Sequence, residues 1–138
     1  MYHRLKVFLD KEQSDDQYGF RQHKRIEDVF CVLENVIGKS IEFEVPLWMA
    51  SLDMRKAFDR IEFIPLFNAL REQNVPESYI ALLSNLYVDQ VGSVNGSKYF
   101  KINRGVKQGD VISAMLFNAG LECAFRKWKH VYVIMAFY

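Results

Sequence analysis

Between Val91 and Ile102, two stretches of β-forming residues flank Asn95-Gly96. That dipeptide tolerates the positive φ angles of a tight reversal and is the strongest short hairpin signal. Directly after it comes Arg104-Gly105-Val106-Lys107-Gln108-Gly109-Asp110, a basic turn with two glycines. Next, Leu116, Phe117, Leu121, Ala124 and Phe125 recur at helical spacing, which predicts a helix over 113–128 with Ile112 near its start. A hairpin, a sharp turn and a long helix in succession leave few architectures open.

The rest of the chain supplies the partners. Residues 1–25 are polar and weakly patterned, and read as a loop with one short strand near Leu5–Leu9. Ile26, Val29, Phe30, Leu33, Val36 and Ile37 predict an amphipathic helix over 26–37 that stops at Gly38. After Pro46, the apolar run Leu47 to Leu52 predicts a buried strand delivering Asp53 at its end. Pro65 suits the first turn of a helix running to about Gln73, with Leu66, Phe67 and Leu70 inward. Pro76 and Glu77 begin another, with Ile80, Leu83, Leu86 and Tyr87 inward. The tail 131–138 reads as a further strand. The fold class is therefore α/β (α+β), a mixed layer fold.

Size, charge and cysteines narrow the function. A chain of 138 residues is one domain or part of one. Its longest uninterrupted apolar run, Val131 to Tyr138, is far too short to span a bilayer, so no membrane partner is expected. The first residues carry no apolar core of a secretory signal, and an intracellular setting is expected. Cys31 and Cys123 have no ligand-like spacing and read as reduced core thiols. Net charge is +1, unevenly spread: residues 41–97 are acidic, whereas 98–130 hold seven basic side chains against Asp110 and Glu122. An acidic pocket beside a basic stretch suits a metal site adjoining a phosphate backbone; solvated helix faces explain the same counts.

Three groups of residues could carry chemistry. Asp53, at the end of its strand, would sit where α/β folds place ligands. Phosphoryl transfer onto a nucleic-acid end needs two divalent ions about 4 Å apart on carboxylate oxygens, and Asp53 could hold one side of such a pair. Alternatively it caps a turn. In the second group, Gly105 and Gly109 permit close backbone approach, Arg104 and Lys107 neutralise phosphate, and Gln108 both donates and accepts. Free amides opening the following helix would favour an anion. A plain hairpin-to-helix turn is the other reading. The third group is Gln17-Tyr18-Gly19-Phe20-Arg21, where Arg21 and Lys24 could meet phosphates or form a solvated basic turn.

The order of Leu52-Asp53-Met54-Arg55-Lys56-Ala57-Phe58-Asp59-Arg60 and Arg104–Asp110, with the run through Asn118, resembles the first two palm motifs of reverse transcriptases of the non-LTR retrotransposon type. Gln17–Arg21 is similar to a segment of that family's fingers. The resemblance extends from about Leu5 to Lys129. It implies a partial right-hand polymerase fold, with residues 1–45 in the fingers and 46–138 in an incomplete palm. It implies RNA-directed DNA synthesis with Mg2+, an RNA template, a DNA primer and deoxynucleotides. By the same resemblance Asp53 is the catalytic metal ligand. Phe58, Gln108, Gly109 and Arg21 meet the nucleotide, with Phe58 under its sugar, and Lys24, Arg104, Gly105 and Lys107 meet nucleic acid.

The chain also departs from the family pattern. Val111 and Ala114 stand where prolines are common, and a threonine is common near Ile26. No Ala-Asp-Asp run follows, and the tail 131–138 holds no acid. The expectation is a domain fragment unable to polymerise by itself, because one carboxylate cannot hold two dications against their mutual repulsion. Two further expectations remain open: a non-catalytic RNA-binding module, or a small α/β interaction protein.

Overall fold

The computed structural model describes residues 1–96 and 98–129, so the expected strand at 131–138 lies outside the described residues. The elements in order are α1 (Tyr2–Glu12), α2 (Ile26–Glu42), a 3-10 turn (Phe58–Arg60), α3 (Phe63–Glu72), α4 (Glu77–Tyr87), β1 (Gln90–Gly92), β2 (Phe100–Ile102) and α5 (Val111–Lys129). The architecture is helix-rich and mixed, with one two-stranded sheet among the described residues. The chain divides into two compact units. Among the described residues, one joins Met1–Ser14 to the chain from Lys56 to Lys129, and the other holds Asp15–Arg55.

In the first unit, α5 is the central element, with α3 and α1 packed on it and α4 packed on α3. Leu5 and Leu9 of α1, Leu66 and Leu70 of α3, Ile80 and Leu83 of α4 and Leu116 of α5 form the innermost layer. The expected strand at Leu5–Leu9 is a helix instead. Leu5, Val7 and Leu9 alternate, but α1 buries Leu5 and Leu9, one turn apart, and leaves Val7 exposed. Glu122, buried on α5, fastens the end of α1: its carboxylate accepts from the Ser14 amide at 3.0 Å, the Ser14 hydroxyl at 2.9 Å and Arg126 Nε at 2.9 Å. Arg126 also donates to the Glu12 carbonyl and carboxylate.

The two proline-marked helices form as expected. Helix α3 closes with Asn74 in the left-handed region (φ 58°), its amide bonded to the Arg71 carbonyl and the Val75 amide to the Leu70 carbonyl. This six-residue closure buries Val75, an apolar contact such motifs favour. Arg71 donates twice to Glu77, at 3.0 and 2.7 Å, joining the end of α3 to the start of α4. Of the residues expected inward on α4, Leu86 is exposed, because Ile80, Leu83 and Tyr87 already define the face toward α3. The buried face of α5 is Ser113, Met115, Leu116, Asn118, Ala119 and Glu122, rotated from the expected one; Ala124 is exposed. A hydrogen bond from Gln73 Nε2 to the Ala119 carbonyl (2.7 Å) selects that face by tying it to α3.

In the second unit, α2 continues through Gly38 to Glu42. A helical glycine costs about 1 kcal/mol relative to alanine, which is too little to end a helix alone. The stop comes at Glu44 (φ 51°), where the Val45 amide bonds to the Ser40 carbonyl at 3.0 Å. At the other end the Asp28 carboxylate accepts from the Arg25 amide at 3.2 Å. Cys31 is exposed on this helix rather than in a core. The expected strand over Leu47 to Leu52 is absent: these residues are irregular and exposed, Trp48 being 93% exposed. A strand needs neighbours for its backbone groups, and the one ladder among the described residues is β1–β2. No helix of the described residues is long and apolar enough to cross a membrane.

Candidate functional site: a stitched basic turn

The site is built from two segments far apart in sequence. Lys56 takes a positive φ of 54° and starts the 3-10 turn at Phe58. The turn's carbonyls then point at the Arg104–Asp110 segment. The Val106 amide donates to the Phe58 carbonyl (2.9 Å) and the Gly105 amide to the Ile61 carbonyl (2.8 Å). Glu62 and Arg104 form an isolated antiparallel bridge. Gln108 Nε2 reaches the Asp59 carboxylate at 3.4 Å.

Gly105 is required here on two counts. Its φ is 95°, and a Cβ would lie 3.1 Å from the Asp59 carbonyl oxygen and 3.2 Å from its Cα. Val106 is buried beside the exposed Lys107 and pins the turn into the core. Gly109 (φ 87°) has open space around it and supplies only the backbone sign. Arg104, Lys107 and Gln108 therefore stand exposed on a backbone that is fixed.

The start of α5 differs from expectation in one respect. Asp110 Oδ1 accepts from the Ile112 amide at 3.1 Å and the Asp110 carbonyl from the Ser113 amide at 3.0 Å. This carboxylate occupies the place where a free anion was expected to bind, and caps the helix instead. Val111 and Ala114 do not disturb that start, since α5 begins at Val111. Behind the cap, burial pushes the Tyr87 phenol above its ordinary value, and the Asp110 charge adds to that rise.

Phe58 is partly buried. Its ring stacks on Phe117 of α5, with centroids 4.9 Å apart and planes 20° apart. Asp59, which was not among the candidate site residues read from the sequence, is the side chain linking the two segments. The signal for it was an acid immediately after the motif aromatic. Phe117, the stacking partner of Phe58, was read as a generic helix-face residue.

The remaining candidates belong to the second unit. Asp53 is exposed in irregular chain rather than at a strand end. Lys24 lies over the Tyr18 ring (4.8 Å), with its ammonium donating to the Asp15 carbonyl at 2.6 Å and 4.0 Å from the Asp15 carboxylate. Arg21 reaches the Gln17 carbonyl at 3.5 Å, and Gln17 Nε2 donates to the Gly19 carbonyl at 3.0 Å. Arg21 and Lys24 thus help to hold the shape of their own loop. Among the described residues, no three His, Cys, Asp or Glu side chains converge as metal ligands. Asp53 by itself does not supply the oxygen donors that a pair of magnesium ions needs.

A match to the family described as "Reverse transcriptase (RNA-dependent DNA polymerase)" covers residues 1–138. A Pol polyprotein from the type-2 retrotransposable element R2DM of Drosophila melanogaster is 31% identical over 114 residues, covering 80% of this chain and 11% of that protein. A Pol polyprotein from a type-1 retrotransposable element R2 of Popillia japonica is 38% identical over 96 residues, covering 66% of this chain and 14% of that protein. A corresponding protein of Nasonia vitripennis is 31% identical over 86 residues, 59% of this chain and 8% of that protein. The chain spans a small part of the curated relatives it matches. A family match over the whole chain, with relatives among the Pol polyproteins of R2 elements, leads to one conclusion: the chain belongs to the reverse transcriptase family, in its non-LTR retrotransposon branch.

Proposed function

We propose that this chain is the template- and nucleotide-handling part of an RNA-directed DNA polymerase from an R2-like retrotransposon, and performs no synthesis by itself. In the longer protein the reaction is deoxynucleotide addition to a DNA primer along an RNA template, with magnesium completing the site. Asp53 serves there as one metal ligand, Phe58, Gln108, Gly109 and Arg21 line the nucleotide, and Lys24, Arg104, Gly105 and Lys107 follow nucleic acid. Residues 1–45 form part of the fingers and residues 46–138 part of the palm.

The observation that carries this reading is the double backbone bond from Gly105 and Val106 to Ile61 and Phe58. It holds an otherwise exposed basic turn rigid, the arrangement that lets cations meet phosphates with little ordering cost. Neither Arg104 nor Lys107 has an ion-pair partner among the described residues. Fluorescence anisotropy with a primed RNA template should reveal salt-dependent binding, and Lys107→Ala should lower the salt slope by about one. The same mixture with magnesium and deoxynucleotides should yield no extended primer. Binding indifferent to salt and to Lys107 would remove the nucleic-acid role, and extension abolished by Asp53→Ala would remove the inactivity.

A second reading, a non-catalytic RNA-binding module, is favoured by the sparse donor set around Asp53. It predicts the same binding with no effect of magnesium in any longer form of the protein.

A further inference from the structure

The β1–β2 hairpin carries a surface that the polymerase motifs do not use. In its register Gly92 faces Phe100 and Val91 faces Lys101. A Cβ on Gly92 would lie 2.9 Å from Phe100 Cζ and 3.1 Å from its Cε2, so the ring lies against bare strand backbone. Phe100 is nonetheless 50% exposed, and Tyr99 beside it is 78% exposed. A ring seated on glycine and still open to solvent is a preformed stacking platform, with little rotamer freedom left to lose. From Lys98 to Gly109 the chain contains Lys98, Lys101, Arg104 and Lys107 and no acidic residue. The acid nearest in the hairpin, Asp89, stands 3.8 Å from Lys101, an exposed and screened pair that a phosphate can replace.

We infer that the Gly92-seated Phe100 ring, with Tyr99 and Lys101, is a base-stacking site for single-stranded RNA adjoining the Arg104–Lys107 turn. Interleaved aromatics and cations are what an unpaired strand requires, because every base has a face to stack and every nucleotide a phosphate to neutralise. A duplex, whose bases are already stacked, gains only from the lysines. The choice of RNA rests on the template role proposed above.

The test uses the full chain and a fluorescein-labelled oligouridylate, with oligothymidylate and a blunt RNA duplex as controls. Phe100→Ala should weaken oligouridylate binding about tenfold and leave the duplex nearly unchanged, while Phe100→Trp should restore it. Gly92→Val favours the strand but displaces the ring, and should weaken oligouridylate binding with the fold intact by circular dichroism. Retention of affinity in Phe100→Ala and Gly92→Val, equal losses on duplex and single strand, or dependence on Phe100 for oligothymidylate alone would each overturn the site. Self-association abolished by Phe100→Ala, with RNA binding unaltered, would assign the surface to a second copy instead. Binding that depends on Lys107 but not on Phe100 overturns this inference and leaves the template reading standing. Absence of any RNA binding overturns both.

Discussion

At the scale of single residues, carboxylates fasten the helix behind the basic turn and the helices around it. Asp110 caps α5, so Asp110→Ala should lower stability by about 1 kcal/mol in a denaturant melt, and Asp110→Asn should restore most of it. Glu72 and Glu77 contribute in their ionised forms. The Cys123 thiol, donating at 2.6 Å, holds the Glu72 carboxyl below its ordinary range, with Lys127 and Arg126 assisting. The Arg71 guanidinium does the same for Glu77. Groups whose folded pKa is depressed contribute fully above their unfolded value, and that contribution is lost as pH falls through the folded one. Thermal midpoints measured from neutral pH downward should fall on the acid side, and less steeply in Glu77→Gln. For Cys123, burial and the Glu72 charge push the thiol up. Its partner cysteine by count, Cys31, is exposed and should react first with maleimide, as read by mass spectrometry of partly labelled protein.

At the scale of elements, the sequence was most legible where local chemistry and tertiary demand coincide. Pro65 and Pro76 sit in or beside the first turns of α3 and α4, and Asn95 and Gly96 both take positive φ in the hairpin loop. Legibility failed where a segment's conformation depends on partners that local pattern does not encode. Leu5, Val7 and Leu9 alternate like a strand, yet the groove offered by α5 accepts a helix. Leu47 to Leu52 has strand composition but no ladder among the described residues. The rotation of α5 followed from polar ties, Gln73 to Ala119 and Glu122 to Ser14, that hydrophobic spacing could not reveal. The candidate site was legible as residue types, whereas its assembly depended on Asp59 and on backbone carbonyls, which carry no side-chain signature. Gly105→Ala tests that assembly. A Cβ against the Asp59 backbone at φ 95° should cost about 1–3 kcal/mol and weaken RNA binding by loosening the turn.

At the scale of the whole molecule, apolar surface is unevenly covered. Residues 41–54 leave Ile41, Phe43, Trp48, Met49 and Leu52 exposed, each by more than 60%. Apolar surface on this scale binds hydrophobic dyes and promotes self-association. Trp48→Ser with Leu52→Ser should reduce anilinonaphthalene sulfonate fluorescence and aggregation, leaving far-ultraviolet dichroism unchanged. The stitching between 58–62 and 104–108 has a different consequence, for covalent continuity. Severing the peptide once between Gly92 and Phe100 breaks a connection but none of the bonds from Gly105 and Val106, nor the burial of Leu116 against α3. The two pieces should migrate together on a native gel and separate only under denaturant, so the chain can be supplied as halves that recombine.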